Sequence, residues 1–591
     1  MRLPRVSLPL ALTSAIHSPE ERRVRRSKAV AASTSNSLSA SSSASLSSLS
    51  SSSSRHRSLS SRGATRQQRR RGANRHHTPW HRFGTFRSAA ASVATGRIWR
   101  GGAQPIADAA ETEITTAPDV VVASTASTTN LPASAAISDR ELRGRVWALA
   151  LPAIGEQLLA LGVGASDTFL SGHLSSYATA HLGYGQADAV SAVGVASTAV
   201  WVVLTSFFAI NIGVTALVAR AIGAKDRSLA ARAAGQGVLL GLTAGLALML
   251  AAVPMASLIT HVLGVSGRVV DLAAVYIRVF SLALPATGAA SAMTAAMRGA
   301  GDARRPLLVM LVVNGLNIAG SWVLMNGLPS LGIQPIGVIG SACGAGAGWL
   351  CGALLAFTLL RRRHPRAPQL VRASLRPNFG LAKRILRVGL PSAAELTVFQ
   401  MGILSFLRLV VPLGADIYAA NTAINTVESI GTLPGFGFSV AATTLVGQAL
   451  GSADPALAVR IVWAAMRPCV IVMGVIGGLA LLVPHLLLGL FVADPTVLAV
   501  GDIPMRFSAI TLPACAVSFV FIGALRGAGD TKFPVVVRAT GTWLVRVPVA
   551  FLLIPLLGLP GGRLAMSLDY CTQAAITYWR FRSERWRRAK V

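Results

Sequence analysis

Ionisable side chains are scarce in the apolar stretches of this sequence, so the few that occur there are the residues with chemistry to offer. Asp167 stands in Ala165-Ser166-Asp167-Thr168 with no Lys or Arg close to it in that stretch. Glu156 precedes it by 11 residues. On a helix that spacing is three turns plus about 20°, which puts both acids on one face about 16 Å apart. A carboxylate inside a bilayer is costly and by default functional. Burial favours its neutral form, so a lone acid of this kind loads and releases a proton near neutral pH or pairs with a cation. The structural alternative is that Asp167 ends its segment and is solvated. Further along, Glu395 follows Pro391 by four residues; it is a candidate substrate-cation or proton site, or a partnered structural acid. Gln400, Asn421, Asn425 and Glu428 are candidates to line a cavity, and Arg546 with Asp569 is a candidate buried pair.

Other chemistries lack their residues. There is no nucleophile–base set and no cofactor loop, so an enzyme and a cofactor are not expected; the coupling ion would be H⁺ or Na⁺. Cys343, Cys351, Cys469, Cys515 and Cys571 all lie in apolar stretches and form no CxxC pair. They read as packing residues, and no metal site is expected.

The elements that must position these residues are membrane helices. Of 591 residues, 52% are hydrophobic and 13% charged, against about 25% charged in a soluble domain; the mean hydropathy is +0.56. A span needs about 20 apolar residues. Such stretches fall near 146–171, 189–217, 233–259, 274–297, 306–326 and 336–360. A second set falls near 384–411, 418–446, 460–482, 503–525, 534–557 and 563–581. The formal charge of +32 is not spread evenly. Lys and Arg crowd alternate short loops, those around 220–232, 298–305, 361–376 and 526–532, and the tail after 580; the loops near 173–188, 327–335 and 412–417 have none. That alternation agrees with an even number of spans and both termini on one face. Nucleic acid is not expected as a partner, because no aromatic–basic interleaving accompanies the arginines.

The first hundred residues differ in kind. They are rich in Ser, Arg and Ala, with a nearly pure Ser/Ala run from Ser33 to Ser54 and only Glu20 and Glu21 as acids before Asp108. Such a segment is expected to be disordered, and its composition is that of an organelle transit peptide. The Ser content favours a chloroplast membrane, envelope or thylakoid, over the mitochondrial inner membrane. The expected organisation is a transit-like segment 1–100, a polar linker 101–144, a six-helix bundle 145–360, a basic inter-bundle loop 361–383 and a second six-helix bundle with a basic tail 384–591.

A duplication supports that division. Arg298-Gly299-Ala300-Gly301-Asp302 recurs 228 residues later as Arg526-Gly527-Ala528-Gly529-Asp530. At the same offset Gly223, Asp226, Arg232, Arg278, Pro285 and Pro306 match Gly451, Asp454, Arg460, Arg506, Pro513 and Pro534. Upstream, Leu151-Pro152-Ala153 pairs with Leu390-Pro391-Ser392 at an offset of 239, so the first repeat carries 11 more residues, placed in the loop His173 to Asp188. Two repeats of six spans share one orientation, a transporter plan with its site between the halves. The RGAGD segments read as tight structural turns between spans, with Arg and Asp pairing across the turn or capping helix ends. They lack the Lys-Ser/Thr of a P-loop and follow no strand.

LPAIGEQLLALGVGASDTFLSGHL, VTALVARAIGAKD, MRGAGDARRP, VGQALGSAD and LRGAGDTKFP resemble the multidrug and toxic compound extrusion family over residues 145 to 580. The transit-like N-terminus is similar to its plastid members, related to the DNA-damage-inducible-F branch. The resemblance implies an all-α polytopic protein of about 12 transmembrane helices in two pseudo-symmetric six-helix bundles around a central cavity. It implies export of a small organic solute by alternating access, driven by H⁺ or Na⁺ influx, from a chain expected to act as a monomer in the lipid bilayer. Asp167 falls on the family's first-helix cation or proton acceptor. Asn314 and Asn317 match its fifth-helix Asn pair; the Asp often found four residues after the second Asn is Ser321 here, and a sixth-helix Thr is Ala345. A Na⁺ cage needs several oxygens, so the reduced set favours protons. Two other readings stay open: a lipid-linked flippase, which calls for a strongly cationic cavity (Arg408 and Arg546 being the candidates), and a non-transporting scaffold, which gives Asp167 no role.

Overall fold

The computed structural model describes residues 137–362 and 368–589. The expected transit segment 1–100, most of the linker 101–144 and part of the basic loop lie outside the described residues. The described chain is helical, with one isolated bridge between Leu328 and Ile333. In hydrocarbon every backbone N–H and C=O must be satisfied within its own segment, which leaves helices as the spanning element for apolar runs of this length.

Among the described residues ten helices are long and apolar enough to cross a bilayer. In the first half these are the first span Asp139–Gly172, the second Gln186–Gly223, the third Arg227–Val262, the fifth Arg304–Asn326 and the sixth Val338–Arg361. The fourth is a bent pair, Arg268–Ser281 and Leu284–Gly299, with 54° between them. In the second half follow the seventh span Phe379–Leu413, the eighth Ala415–Gly451, the ninth Pro455–Leu482, the tenth Pro495–Ala528 and the eleventh Lys532–Leu557. The twelfth, Leu559–Arg582, has the length of a span but a more polar sequence, because Arg563, Asp569 and Gln573 are buried on it. The all-helical class is as expected; by length and apolar character the described residues hold ten spans, or eleven with the bent pair, against about twelve expected from hydropathy, the last helix being the polar one.

The duplication is visible in individual contacts. Thr215 Oγ1 donates to the Ala295 carbonyl at 3.1 Å, and Thr443 Oγ1 to that of Gly523 at 2.9 Å. Asp226 and Asp454 each cap a helix by accepting from the N–H of Leu229 and Leu457, both at 2.9 Å. Gly301 and Gly529 close the RGAGD turns at φ +89° and +86°, the left-handed region that glycine alone enters without penalty. The additional residues of the first repeat form a short helix, Ser176–Leu182. It is tied to the end of the fifth span, since the Ser175 N–H donates to Asn326 Oδ1 at 2.7 Å.

The halves meet crosswise: the first span packs on the eighth, the seventh on the second, and the second on the eighth. At the basic end this contact is backbone-close. A Cβ on Gly223 would strike the Gln448 carbonyl, and one on Gly451 the Arg220 carbonyl; both pairs of positions are 228 apart. Hydrogen bonds cross here too. Thr444 Oγ1 donates to the Arg298 carbonyl at 3.0 Å, Gln448 Nε2 to that of Gly299 at 3.1 Å, and Arg220 Nη2 to that of Ala528 at 2.8 Å. Within the first half, Gly340, Gly344 and Gly348 recur every fourth residue and let the sixth span lie against the backbone of the fifth. Small residues serve this close approach in membrane interfaces, where packing rather than water exclusion drives association.

Candidate functional site

The first, fourth, fifth and sixth spans enclose Asp167. Its side chain is buried, 2% exposed, so it does not end its segment in solvent. Two neutral donors reach the carboxylate: Asn317 Nδ2 to Oδ1 at 3.1 Å, and the Tyr276 hydroxyl to Oδ2 at 3.2 Å. Asn317 is oriented in turn, because Ser321 Oγ donates to its Oδ1 at 3.0 Å while also lying 3.3 Å from the Ser341 carbonyl. Ser341 stands beside both Asp167 and Tyr276, although its hydroxyl makes no hydrogen bond of ordinary geometry. Among the described residues no Lys or Arg pairs with Asp167 in an ion pair. Asn314, one turn before Asn317, donates to its own helix at the Met310 carbonyl, 2.9 Å away, and faces Gly162 of the first span. The sixth span supplies Ala345, buried at the same level.

Tyr276 was not among the residues singled out from the sequence. It sits on the first segment of the bent fourth span, which packs on the second, third and sixth spans, and its hydroxyl reaches across to the first. At the repeat offsets, Asp167 and Asn317 correspond to Phe406 and Val545; the polar cluster belongs to one half only.

Glu156 is held elsewhere. It pairs with Arg298, the arginine of the first RGAGD turn. Glu395 pairs likewise with Arg526 of the second turn at 2.8 Å, and with Arg538 at 3.5 Å. Glu156 and Glu395 are 239 apart and Arg298 and Arg526 are 228 apart, so one acid–arginine brace occurs in each repeat. The aspartates of the turns act separately. Asp302 accepts from the N–H groups of Arg304 and Arg305, both at 3.2 Å, and Asp530 takes both Arg580 nitrogens at 2.9 and 2.7 Å.

The remaining cavity candidates divide. Asn421, Asn425 and Glu428 converge on Arg563 of the twelfth span, which is fully buried. Its Nη2 donates to Asn421 Oδ1 at 2.6 Å and Asn425 Oδ1 at 3.0 Å, and its Nη1 to Glu428 Oε2 at 3.0 Å. Gln400 is exposed and apart from them. Arg546 and Asp569 do pair, at 2.7 Å, without the alignment of a hydrogen bond. The second half therefore holds four guanidiniums, those of Arg538, Arg546 and Arg563 buried and that of Arg526 partly so, against the carboxylates of Glu395, Glu428 and Asp569. Burying such charges is tolerable only with partners, and each arginine here has at least one. Arg408 lies exposed at the end of its helix.

A family model described as MatE matches residues 152–323 and 391–552, one match in each half. The Probable multidrug resistance protein NorM of Thermotoga maritima is 30% identical over 455 residues, covering 76% of this chain and 94% of that protein. The Uncharacterized transporter YisQ of Bacillus subtilis is 24% identical, covering 75% of this chain and 94% of that protein. Among solved structures, one described as MATE in the bent conformation aligns with a TM-score of 0.68 at 20% identity over 76% of this chain and 97% of that one. An outward-facing conformation of a multidrug resistance MATE family transporter of the MOP superfamily aligns with a TM-score of 0.67 at 19% identity, over 75% and 96%.

Proposed function

The chain belongs to the MatE family of membrane transporters, and from that premise we propose that it is a proton-coupled antiporter that exports small organic solutes by alternating access, with Asp167 as the proton-carrying group. The observation that carries the reading is a buried carboxylate held by two neutral donors with, among the described residues, no Lys or Arg paired to it. Such a group exists in both protonation states without leaving a partner charge stranded. Of the oxygens expected of a Na⁺ cage, that of Asn317 already accepts from Ser321 while its N–H turns to Asp167, and Asn314, which gives its N–H to its own helix, points its oxygen at Gly162, so the set is small. A proton needs no such cage.

Alternating access draws support from the crosswise contact. The two halves touch at the basic end through backbone-close glycines and a few side-chain hydrogen bonds, which the opposite state would open. Glu156 and Glu395 serve in this reading as braces that hold the RGAGD turns to the first and seventh spans. Asn421, Asn425 and Glu428, gathered by Arg563, and the exposed Gln400 are the polar groups of the second half available to a solute. The flippase alternative needs uncompensated positive charge in the cavity; the buried arginines here are paired, which favours the antiporter. The Ser- and Arg-rich, acid-poor first hundred residues support placement in a plastid membrane.

The test is uptake of a panel of labelled organic solutes into proteoliposomes under imposed H⁺ or Na⁺ gradients. Accumulation driven by H⁺ alone is expected. Accumulation driven by Na⁺ alone would overturn the proton assignment, and no gradient-driven flux of any solute by folded protein would overturn the antiporter.

A further inference from the structure

At the basic end of the second half, away from Asp167, a cavity of about 450 Å³ opens between the start of the seventh span and the second RGAGD turn. Lys383, Arg384 and Arg387 line it from the seventh span, and Lys532 from the first residue of the eleventh. The one acid in its wall, Asp530, is already committed to Arg580 through two hydrogen bonds. Among the described residues none pairs with Lys383, Arg387 or Lys532. A smaller cavity of about 240 Å³ shares Gly380 and Arg384 and adds Arg232.

Like charges gathered round one concavity repel, and a bound anion turns that repulsion into attraction. The volume lies in the range of small-ligand sites, about 300–1,000 Å³. The basic ends of membrane helices lie at the level of lipid headgroups, and basic pockets between spans on this side take phosphorylated headgroups. Phe379, 87% exposed, is the residue next to Gly380 in the cavity wall, and aromatic side chains mark the same interfacial level.

We propose that this cavity is an anionic phosphate site, with Lys383, Arg387 and Lys532 as its principal charges, and that the group it takes is the headgroup of an acidic phospholipid. The chemistry is shared with free inorganic phosphate, and the exposed Phe379 beside the opening is what favours the lipid. The site stands whether or not Asp167 carries protons.

The test uses the full chain in nanodiscs of phosphatidylcholine, with and without phosphatidylglycerol, and separately in phosphatidylcholine with inorganic phosphate titrated against sodium chloride of matched ionic strength. The readout is the unfolding temperature and, from its concentration dependence, an apparent dissociation constant. Phosphatidylglycerol is expected to raise the unfolding temperature. Each basic residue near an acidic headgroup is worth about fivefold in affinity, so the double variant Lys383→Ala/Arg387→Ala is expected to bind about thirtyfold more weakly. Lys532→Ala, on a different helix, should lose about fivefold, which keeps the test open if the double variant folds poorly. Arg304→Ala, on the same end but outside the cavity, should behave as wild type. A response to inorganic phosphate that the variants lose would support the phosphate site and identify the free ion as its occupant. No response of wild type to either probe, an undiminished response in both cavity variants, or an equal loss in Arg304→Ala would overturn the site.

Discussion

Replacing Glu395 with Gln separates a structural brace from a proton carrier. The Glu395 side chain is 3% exposed and touches two arginines, Arg526 at 2.8 Å and Arg538 at 3.5 Å. Glu156, its counterpart, is 13% exposed and meets Arg298 alone. Removing one member of a buried pair costs about 3–5 kcal/mol because the other charge is left without compensation. The amide keeps an acceptor oxygen in place, which points to the lower end, about 3 kcal/mol, for Glu395→Gln. For Glu156→Gln, with more water and one partner, about 1–2 kcal/mol is expected. The double variant Glu395→Gln/Arg526→Gln should recover part of the loss, with a coupling of about 2 kcal/mol in the cycle. Equilibrium unfolding in mixed micelles, followed by the intrinsic fluorescence of the ten tryptophans, measures all four corners. The transport that remains in the folded fraction should keep its proton dependence. The reasoning is refuted if Glu395→Gln unfolds as wild type does while proton-driven transport disappears, for Glu395 would then be a coupling group.

Two further substitutions probe other parts of the mechanism. Gly223→Leu drives a side chain into the Gln448 carbonyl and should block closure at the basic end; net transport should fall to background in protein that still migrates as a folded monodisperse species, and wild-type transport would show that this contact is not a gate. Tyr276→Phe keeps the ring but removes a donor to Asp167, a bond to an ionisable group worth about 1.5 kcal/mol or more, so gradient-driven uptake should drop about tenfold; unchanged uptake would remove Tyr276 from the site.

Much of this architecture could be read from residue order because the bilayer imposes strong rules on composition. Apolar runs of span length leave few alternatives, and the twelve stretches read from hydropathy coincide with helices, the fourth span excepted, where a break at Leu282 bends it. The RGAGD repeat likewise appears as two equivalent turns with the same glycine conformation. What the residue order concealed was pairing. Glu156 and Glu395 are repeat equivalents at an offset of 239, while their arginines are equivalent at 228. The 11-residue insertion between them hid the fact that both acids have the same partner in each half. Arg563 stood at the edge of an apolar run and read as a span end, yet the helix begins four residues earlier at Leu559 and carries it inside. Tyr276 was missed for a different reason: nothing in its spacing shows that its hydroxyl reaches Asp167 from a segment that packs on the second, third and sixth spans.

The most direct test of proton coupling is to compare wild type with Asp167→Asn in two assays on the same proteoliposomes. One is uptake driven by an imposed pH gradient; the other is solute counterflow with no gradient. A neutral amide keeps the shape of the carboxyl and its place beside Asn317 and Tyr276 but carries no proton. The expected result is that Asp167→Asn loses gradient-driven accumulation and retains counterflow. Accumulation by Asp167→Asn with the same dependence on the pH gradient as wild type would contradict the assignment of Asp167 as the coupling residue.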